Sequence, residues 1–149
     1  MQKLNLPEYP IKFENIFDKL SIFDPIRKKY VIVTPEEWVR QNFLLFLLND
    51  KMYPASLLAV EKKIVLNTLT KRCDIVAYNN NGKAMLIVEC KAPSINISQQ
   101  TFDQIARYNM KLKVNYLIVT NGLKHYCCYI DFENKNYRFL EGIPDYTTL

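Results

Sequence analysis

The chain has 149 residues, 49% apolar and 23% charged, and its twenty Lys and Arg against fifteen Asp and Glu set a net charge of +5. That composition excludes disordered, collagen-like and disulfide-scaffold chains and predicts a single domain over residues 1–149 with its core at about 23–144, while the positive balance favours a polyanionic partner. The start lacks the apolar segment of a signal peptide and the longest unbroken apolar run is 43–48, too short for a bilayer, so a soluble cytoplasmic protein with no membrane partner is expected.

Residues 1–20 carry little periodicity beyond a possible strand near 11–13. Residues 21–24 and 30–33 are strand-like and flank the basic turn Pro25-Ile-Arg-Lys-Lys29, which predicts a hairpin whose cations guard an edge or meet phosphate. Thr34-Pro-Glu-Glu37 is a helix start: Thr34 caps, Pro35 suits the first helical position, and Glu37 completes a Thr-x-x-Glu box. The helix is expected to run to about Asn49, and its near-continuous apolar residues predict burial on most sides. Glu37 shares a stripe with Gln41, Leu44 and Leu48, whereas Glu36 has Arg40 as an i,i+4 partner, so Glu37 is the acid expected to reach a site from this helix. Service to the cap and helix dipole explains both acids equally well.

A strand over 57–66 follows, then residues 67–72 lead into the most informative stretch. Two apolar runs, 75–78 and 84–88, flank Asn79-Asn-Asn-Gly82, the strongest short-range hairpin signal a sequence offers. With Asn81-Gly82 as a two-residue tip, paired numbers sum to 163, which sets Asp74 opposite Glu89. Period-two alternation then puts Asp74 on the face of Glu89 and Lys91. Like charges directly opposite destabilise a sheet, so a divalent cation and the Lys91 ammonium are expected to neutralise them. Ala92-Pro93 ends the strand. A second helix, capped by Ser98 or Thr101, carries Phe102, Ile105, Ala106 and Met110 on one stripe and Gln104, Tyr108 and Lys111 on another. Strands are expected at 114–120, 124–130 and 137–140. The resulting order, a helix, three strands, a helix and more strands, indicates an α/β fold with a mixed central sheet flanked by helices.

These residues carry a resemblance. Asp74, then Glu89-Cys-Lys91, then a helix holding Gln104-x-x-x-Tyr108, resembles the PD-(D/E)xK nuclease superfamily. More specifically, Thr34-Pro-Glu-Glu-Trp-Val-Arg-Gln41, Arg72-Cys-Asp74, Glu89-Cys-Lys-Ala-Pro93, Gln104 to Tyr108 and Thr120-Asn-Gly122 resemble the N-terminal nuclease domain of type I restriction enzyme R subunits. The bare Asp and Glu-x-Lys pattern is degenerate, but five ordered blocks are far more specific. The resemblance implies a restriction-endonuclease-like α-β-β-β-α-β core and hydrolysis of DNA phosphodiesters with Mg2+, or Mn2+ in its place. It implies Asp74 and Glu89 as metal ligands, Lys91 as a catalytic group, and Gln104 and Tyr108 as nucleic-acid contacts; Glu37 joins the catalytic set from its stripe, and Arg72 and Lys111 join the contacts as members of a candidate phosphate track of basic residues. DNA and other restriction or helicase subunits are the implied partners. The competing expectation is a binding or adaptor module on the same scaffold without turnover.

Other signals are weaker. His125 has no cysteine or serine placed beside it by any motif, and three glycines form no phosphate loop. Cys73, Cys90, Cys127 and Cys128 lack zinc spacing and sit in apolar runs, which predicts reduced core thiols.

Overall fold

A computed structural model describes residues 1–149. Three short antiparallel strands, β1 (Phe13–Ile16), β2 (Lys19–Asp24) and β3 (Lys29–Ile32), form a small sheet before the first helix. The β2–β3 hairpin lies where the sequence predicts one. The β1–β2 hairpin was not legible, because its turn is Phe17-Asp18, both at positive φ (50° and 61°). That backbone normally advertises itself as Asn-Gly.

Helix α1 (Pro35–Asn49) starts as expected, with the Thr34 hydroxyl accepting the Glu37 N–H at 3.0 Å. The capping box is only half made: the Glu37 carboxylate accepts from Arg27, Arg40 and Gln41 instead of turning back to the cap. Beyond α1 come β4 (Leu58–Leu66), β5 (Leu69–Tyr78), β6 (Ala84–Cys90), α2 (Gln99–Lys111), β7 (Tyr116–Thr120), β8 (His125–Asp131) and β9 (Asn136–Phe139). The six strands pair in sequence order, antiparallel except for β6 and β7, which are parallel because α2 carries the chain back across the sheet. From α1 to β7 this is an α-β-β-β-α-β core in a mixed sheet, the restriction-endonuclease-like arrangement.

Alternation explains why both sheet faces are apolar. Ile75, Ala77, Leu86 and Val88 pack under Val39, Phe43, Leu44 and Leu47 of α1, and Val76 and Ile87 pack under Phe102 and Ala106 of α2. Each strand therefore reads as a continuous apolar run. The pairings Ile75↔Val88, Val76↔Ile87 and Ala77↔Leu86 keep the sum of 163. The tip itself differs from expectation. Tyr78 pairs with Ala84, one residue out of step, and Gly82 N–H donates to Asn79 O to close a four-residue turn with Gly82 at φ 78°. The Asn79 side chain accepts the N–H groups of Asn81 and Lys83, and those bonds hold the longer loop.

The N-terminal segment straps onto the far side of this layer. Leu4 is buried in the α1 cluster, and Asn5 N–H donates to Gly122 O. Gly122, at φ 84°, leaves room for Leu4, whose Cδ2 would lie 2.7 Å from any added Cβ. His125 Nε2 donates to Asn5 O at 2.8 Å and Nδ1 accepts from the Thr120 hydroxyl at 2.6 Å, a structural place rather than a general base. All four cysteines are free and buried, and burial pushes the thiols up, Cys73 to about 11 and Cys127 and Cys128 to about 12. They are accordingly expected to resist a thiol reagent in the native state at pH 8 and to react together on unfolding. Rapid labelling of any one under native conditions, read by mass spectrometry, would contradict that packing. No helix is long and apolar enough to cross a membrane.

Candidate active site

The site begins where the β5–β6 ladder stops. Ile75↔Val88 is its last pair, and one step further Asp74 Oδ2 accepts the Cys90 N–H at 2.8 Å. A carboxylate thus takes the place of the next backbone acceptor, at the point where β5 parts from β6. Its other oxygen accepts Arg40 Nη2 at 2.7 Å. Burial pushes the Asp74 carboxyl above its ordinary range; the Cys90 N–H and Arg40 oppose this only in part, and the charge of Glu89 adds to the rise.

Strict alternation fails here. Glu61 of β4 sits at φ 55°, opposite Asp74 and between the paired Val60↔Ile75 and Lys62↔Cys73. On either side of it the faces exchange: Val60 and Ile75 pack in the α1 cluster, whereas Ile64 and Cys73 pack in the α2 cluster. Asp74 therefore turns to Arg40 on α1 instead of simply sharing the face of Glu89. Glu89 keeps its place toward α2, with Lys71 Nζ at 3.2 Å from Oε2 and Lys91 Nζ at 3.4 Å from Oε1. Lys91 and Glu89 are neighbours, as their spacing of two requires.

Arg40, which helical spacing marked only as a partner for Glu36, is the centre of the charge network. Its Nη2 lies 2.7 Å from Asp74 Oδ1, 2.8 Å from Glu61 Oε1 and 3.5 Å from Glu36 Oε1, and its Nη1 lies 2.9 Å from Glu37 Oε1. One buried guanidinium therefore joins acids from α1, β4 and β5. The network continues inward through Arg27, which binds Glu37 at 3.0 Å and the fully buried Asp24 at 2.6 Å, and Gln41, which donates to both acids. Burial pushes the Asp24 carboxyl up, but bonds from Arg27, Gln41 and the N–H of Ile26 outweigh it and hold the group below its ordinary range. The basic turn before α1 is thus partly internal: Arg27 folds back onto the acids.

This network decides how α1 meets the site. Glu37, expected to reach in, lies on the buried stripe, but its oxygens are taken up by Arg27, Arg40 and Gln41. Glu36 is half exposed; burial and the charge of Asp74 raise its carboxyl while Arg40 and Lys91 pull it down. Glu36 is the α1 acid that senses Asp74 and Lys91 together. Stripe membership picked Glu37 because it reports which face is buried, and the buried face here is consumed by structural partners.

On the other side, Lys71, Glu89, Gln104, Ile105 and Tyr108 line a shallow pocket of about 260 Å³. Ser98 caps α2, and that start phases Gln104 and Tyr108 toward the strands. The Tyr108 ring lies under Lys71 Nζ at 5.1 Å, and its hydroxyl donates to Thr70 O at 3.4 Å. Lys111 is exposed in the last turn of α2 and pairs with none of these groups, and Arg72 extends to Glu61 at 3.1 Å. A larger cavity of about 330 Å³ lies between the N-terminal segment and Trp38, but none of the acids and lysines of the site line it.

The sequence profile of the type I restriction enzyme R protein N terminus matches residues 35–144, from the first residue of α1 to beyond β9. The chain belongs to that family. The match spans both helices and all six strands of the large sheet, including Asp74, Glu89, Lys91, Gln104 and Tyr108. A crystal structure of a DUF820 protein from Anabaena variabilis, described as a candidate nuclease, shares 12% identity over 92% of this chain and 80% of that one, with a TM-score of 0.46. No curated protein matches the sequence. The chain thus carries a nuclease-like domain of the R protein N-terminal family.

Proposed function

We propose that the domain is a divalent-metal-dependent endonuclease acting on DNA phosphodiester bonds. The observation that carries this reading is that Asp74, Glu89 and Lys91 all stand where β5 parts from β6, Lys91 beside Glu89 and Asp74 near enough to feel the charge of Glu89, on the core of the R protein family. The donor set suits magnesium. No three His, Cys, Asp or Glu side chains gather tightly enough to hold an ion alone. Magnesium is commonly bound through one or two carboxylates and keeps its other positions for water and phosphate oxygens. Asp74 and Glu89 are the proposed ligands. A raised carboxyl at Asp74 is what a buried acid shows when its charge is not fully compensated. When bound, such an ion would activate water and stabilise charge on the phosphate.

The chain's own groups have separate tasks. Lys91, already beside Glu89, offsets negative charge on the scissile phosphate and orients water. Glu36 contributes a further acid from α1, in the place first expected for Glu37, whose oxygens serve the Arg27–Arg40 network. Gln104 and Tyr108, across the pocket from Glu89, hold the phosphate backbone, with Arg72 and Lys111 as outer contacts. The partners are DNA and other restriction or helicase subunits, and buried reduced thiols suit work in the cytoplasm.

A second reading has its own support: Arg40, Lys71 and Lys91 already neutralise Asp74 and Glu89 without metal, which suits a module that binds and does not turn over. Nicking of supercoiled and single-stranded DNA decides between them. Cleavage in magnesium or manganese, lost in chelator and in Lys91→Ala, is expected. DNA binding without cleavage under any of these conditions would establish the adaptor instead.

A further inference from the structure

We infer that the two-stranded ribbon of residues 62–72 is an arm that grips the phosphate backbone of duplex DNA beside the acidic centre. The inference rests on the nucleic-acid reading of that centre and adds a surface to it. β5 pairs with β6 only over Ile75 to Tyr78, whereas the β4–β5 ladder continues as far as Leu66↔Leu69. Residues 62–72 therefore project beyond the six-stranded sheet as a ribbon of their own.

One face of the ribbon is anchored. Ile64 and Leu69 pack on the α2 cluster, and Tyr108 bonds Thr70 O and lies under Lys71. The other face carries Lys63, Val65, Thr70 and Arg72, all exposed. Lys63 stands directly across the ladder from Arg72. Like charges in that position destabilise a strand pair, and the ribbon has four cations, Lys62, Lys63, Lys71 and Arg72, and no acid. Glu61, at the root, pairs with Arg72 and Glu89 with Lys71, which leaves Lys62 and Lys63 with no acid partner. An arrangement unfavourable to the folded chain by itself becomes favourable against a polyanion.

Shape and placement agree with charge. A two-stranded ribbon is of a size that the major groove admits, and cations on its exposed face reach the bordering phosphates. Arg72 lies two residues from Asp74, and its partner Glu61 shares Arg40 with that acid. Phosphates followed along the ribbon lead to the carboxylate at its root. Val65, 63% exposed on the tip side of the Lys63–Arg72 pair, is an apolar surface for the groove wall. A guard against edge aggregation is the rival purpose for such charges.

Fluorescence anisotropy with a short duplex, in chelator and across a range of KCl, separates the possibilities. Lys63→Gln with Arg72→Gln is expected to weaken binding about tenfold at moderate salt and to flatten the log K against log salt slope by about 1.8, two contacts at about 0.9 each. Lys63→Arg retains wild-type affinity, Lys135→Gln in the distant β8–β9 turn leaves the slope nearly unchanged, and the double variant melts no lower than wild type. An unchanged slope in the double variant, with or without aggregation, overturns the arm while leaving the nuclease reading intact if the wild type binds and nicks. A wild type with no affinity for duplex overturns both.

Discussion

Asp74→Asn is expected to reduce nicking at least about a hundredfold, to raise the melting temperature of the metal-free protein, and to remove any stabilisation by divalent ions. The activity loss follows from deleting a ligand and its charge at the reacting phosphate. The stability gain follows from the direction of the Asp74 shift. Its carboxyl is raised in the folded state, so between the ordinary carboxylate range and the raised value the native protein binds more protons than the unfolded chain. Stability from this group therefore falls as pH rises through that window, and above it the ionised side chain is a net cost. Asparagine removes the charge and keeps one acceptor for the Cys90 N–H or Arg40, so the gain is small, up to about 1 kcal/mol or a few degrees. Metal should likewise stabilise the wild type, by binding its ionised carboxylates. Binding to the native state adds about 2.7 kcal/mol at a hundredfold excess over Kd, worth several degrees in a domain of this length. Melts of both proteins in chelator and in millimolar magnesium or manganese check both parts. Equal shifts in the two proteins, or none in either, would mean that Asp74 is not a metal ligand.

Arg40→Met should be the most destabilising single change near the site, costing about 3–5 kcal/mol at neutral pH, because breaking a buried pair strands its partners. Four acids, Glu36, Glu37, Glu61 and Asp74, meet this one guanidinium, whose side chain is only 8% exposed. Lysine at this position should recover less than half of the loss, since one ammonium does not reproduce a planar fork that reaches α1, β4 and β5 at once. The deficit should also shrink on acidification. Without Arg40 the stranded carboxyls rise in the folded state, the native variant binds more protons than its unfolded chain, and its stability falls as pH rises. The wild-type network behaves differently at Asp24, whose lowered carboxyl contributes stability above the ordinary range that is lost as pH falls through its folded value. Urea midpoints for wild type and Arg40→Met at pH 5 and pH 7.5 test this directly. A loss below about 1 kcal/mol that does not change with pH would show the contacts to be worth no more than surface pairs.

Helix starts, hairpins and apolar faces were legible because their signals are local. Thr34 and Ser98 cap the two helices within three residues of their partners, and the sum of 163 follows from period two and a turn between two runs. Hence the α-β-β-β-α-β order, the closeness of Glu89 to Lys91 and the shared helix face of Gln104 and Tyr108 could be read from spacing, whereas only the family resemblance implied that the two sets belong together. The Phe17-Asp18 turn escaped notice because a positive φ is imposed on Phe17, which does not favour it, and no glycine stands beside Asp18 to mark the turn.

What the sequence by itself determined was the set of elements and the acids and lysine at the end of one hairpin; the tertiary structure decided which charges meet. Arg40 lies 34 residues from Asp74 and 21 from Glu61, and no period links them. The turn of the backbone at Glu61 exchanges the two faces of the ribbon, so alternation counted along β5 loses its meaning at the residue where it mattered most. Stripe and partner favour Glu37 over Glu36 in the sequence, and only the arrival of Arg27 from the preceding hairpin occupies Glu37 and leaves Glu36 half exposed, within reach of the charges of Asp74 and Lys91. Local chemistry sets phase and register, whereas the pairing of buried charges is settled by which distant elements the core brings into contact.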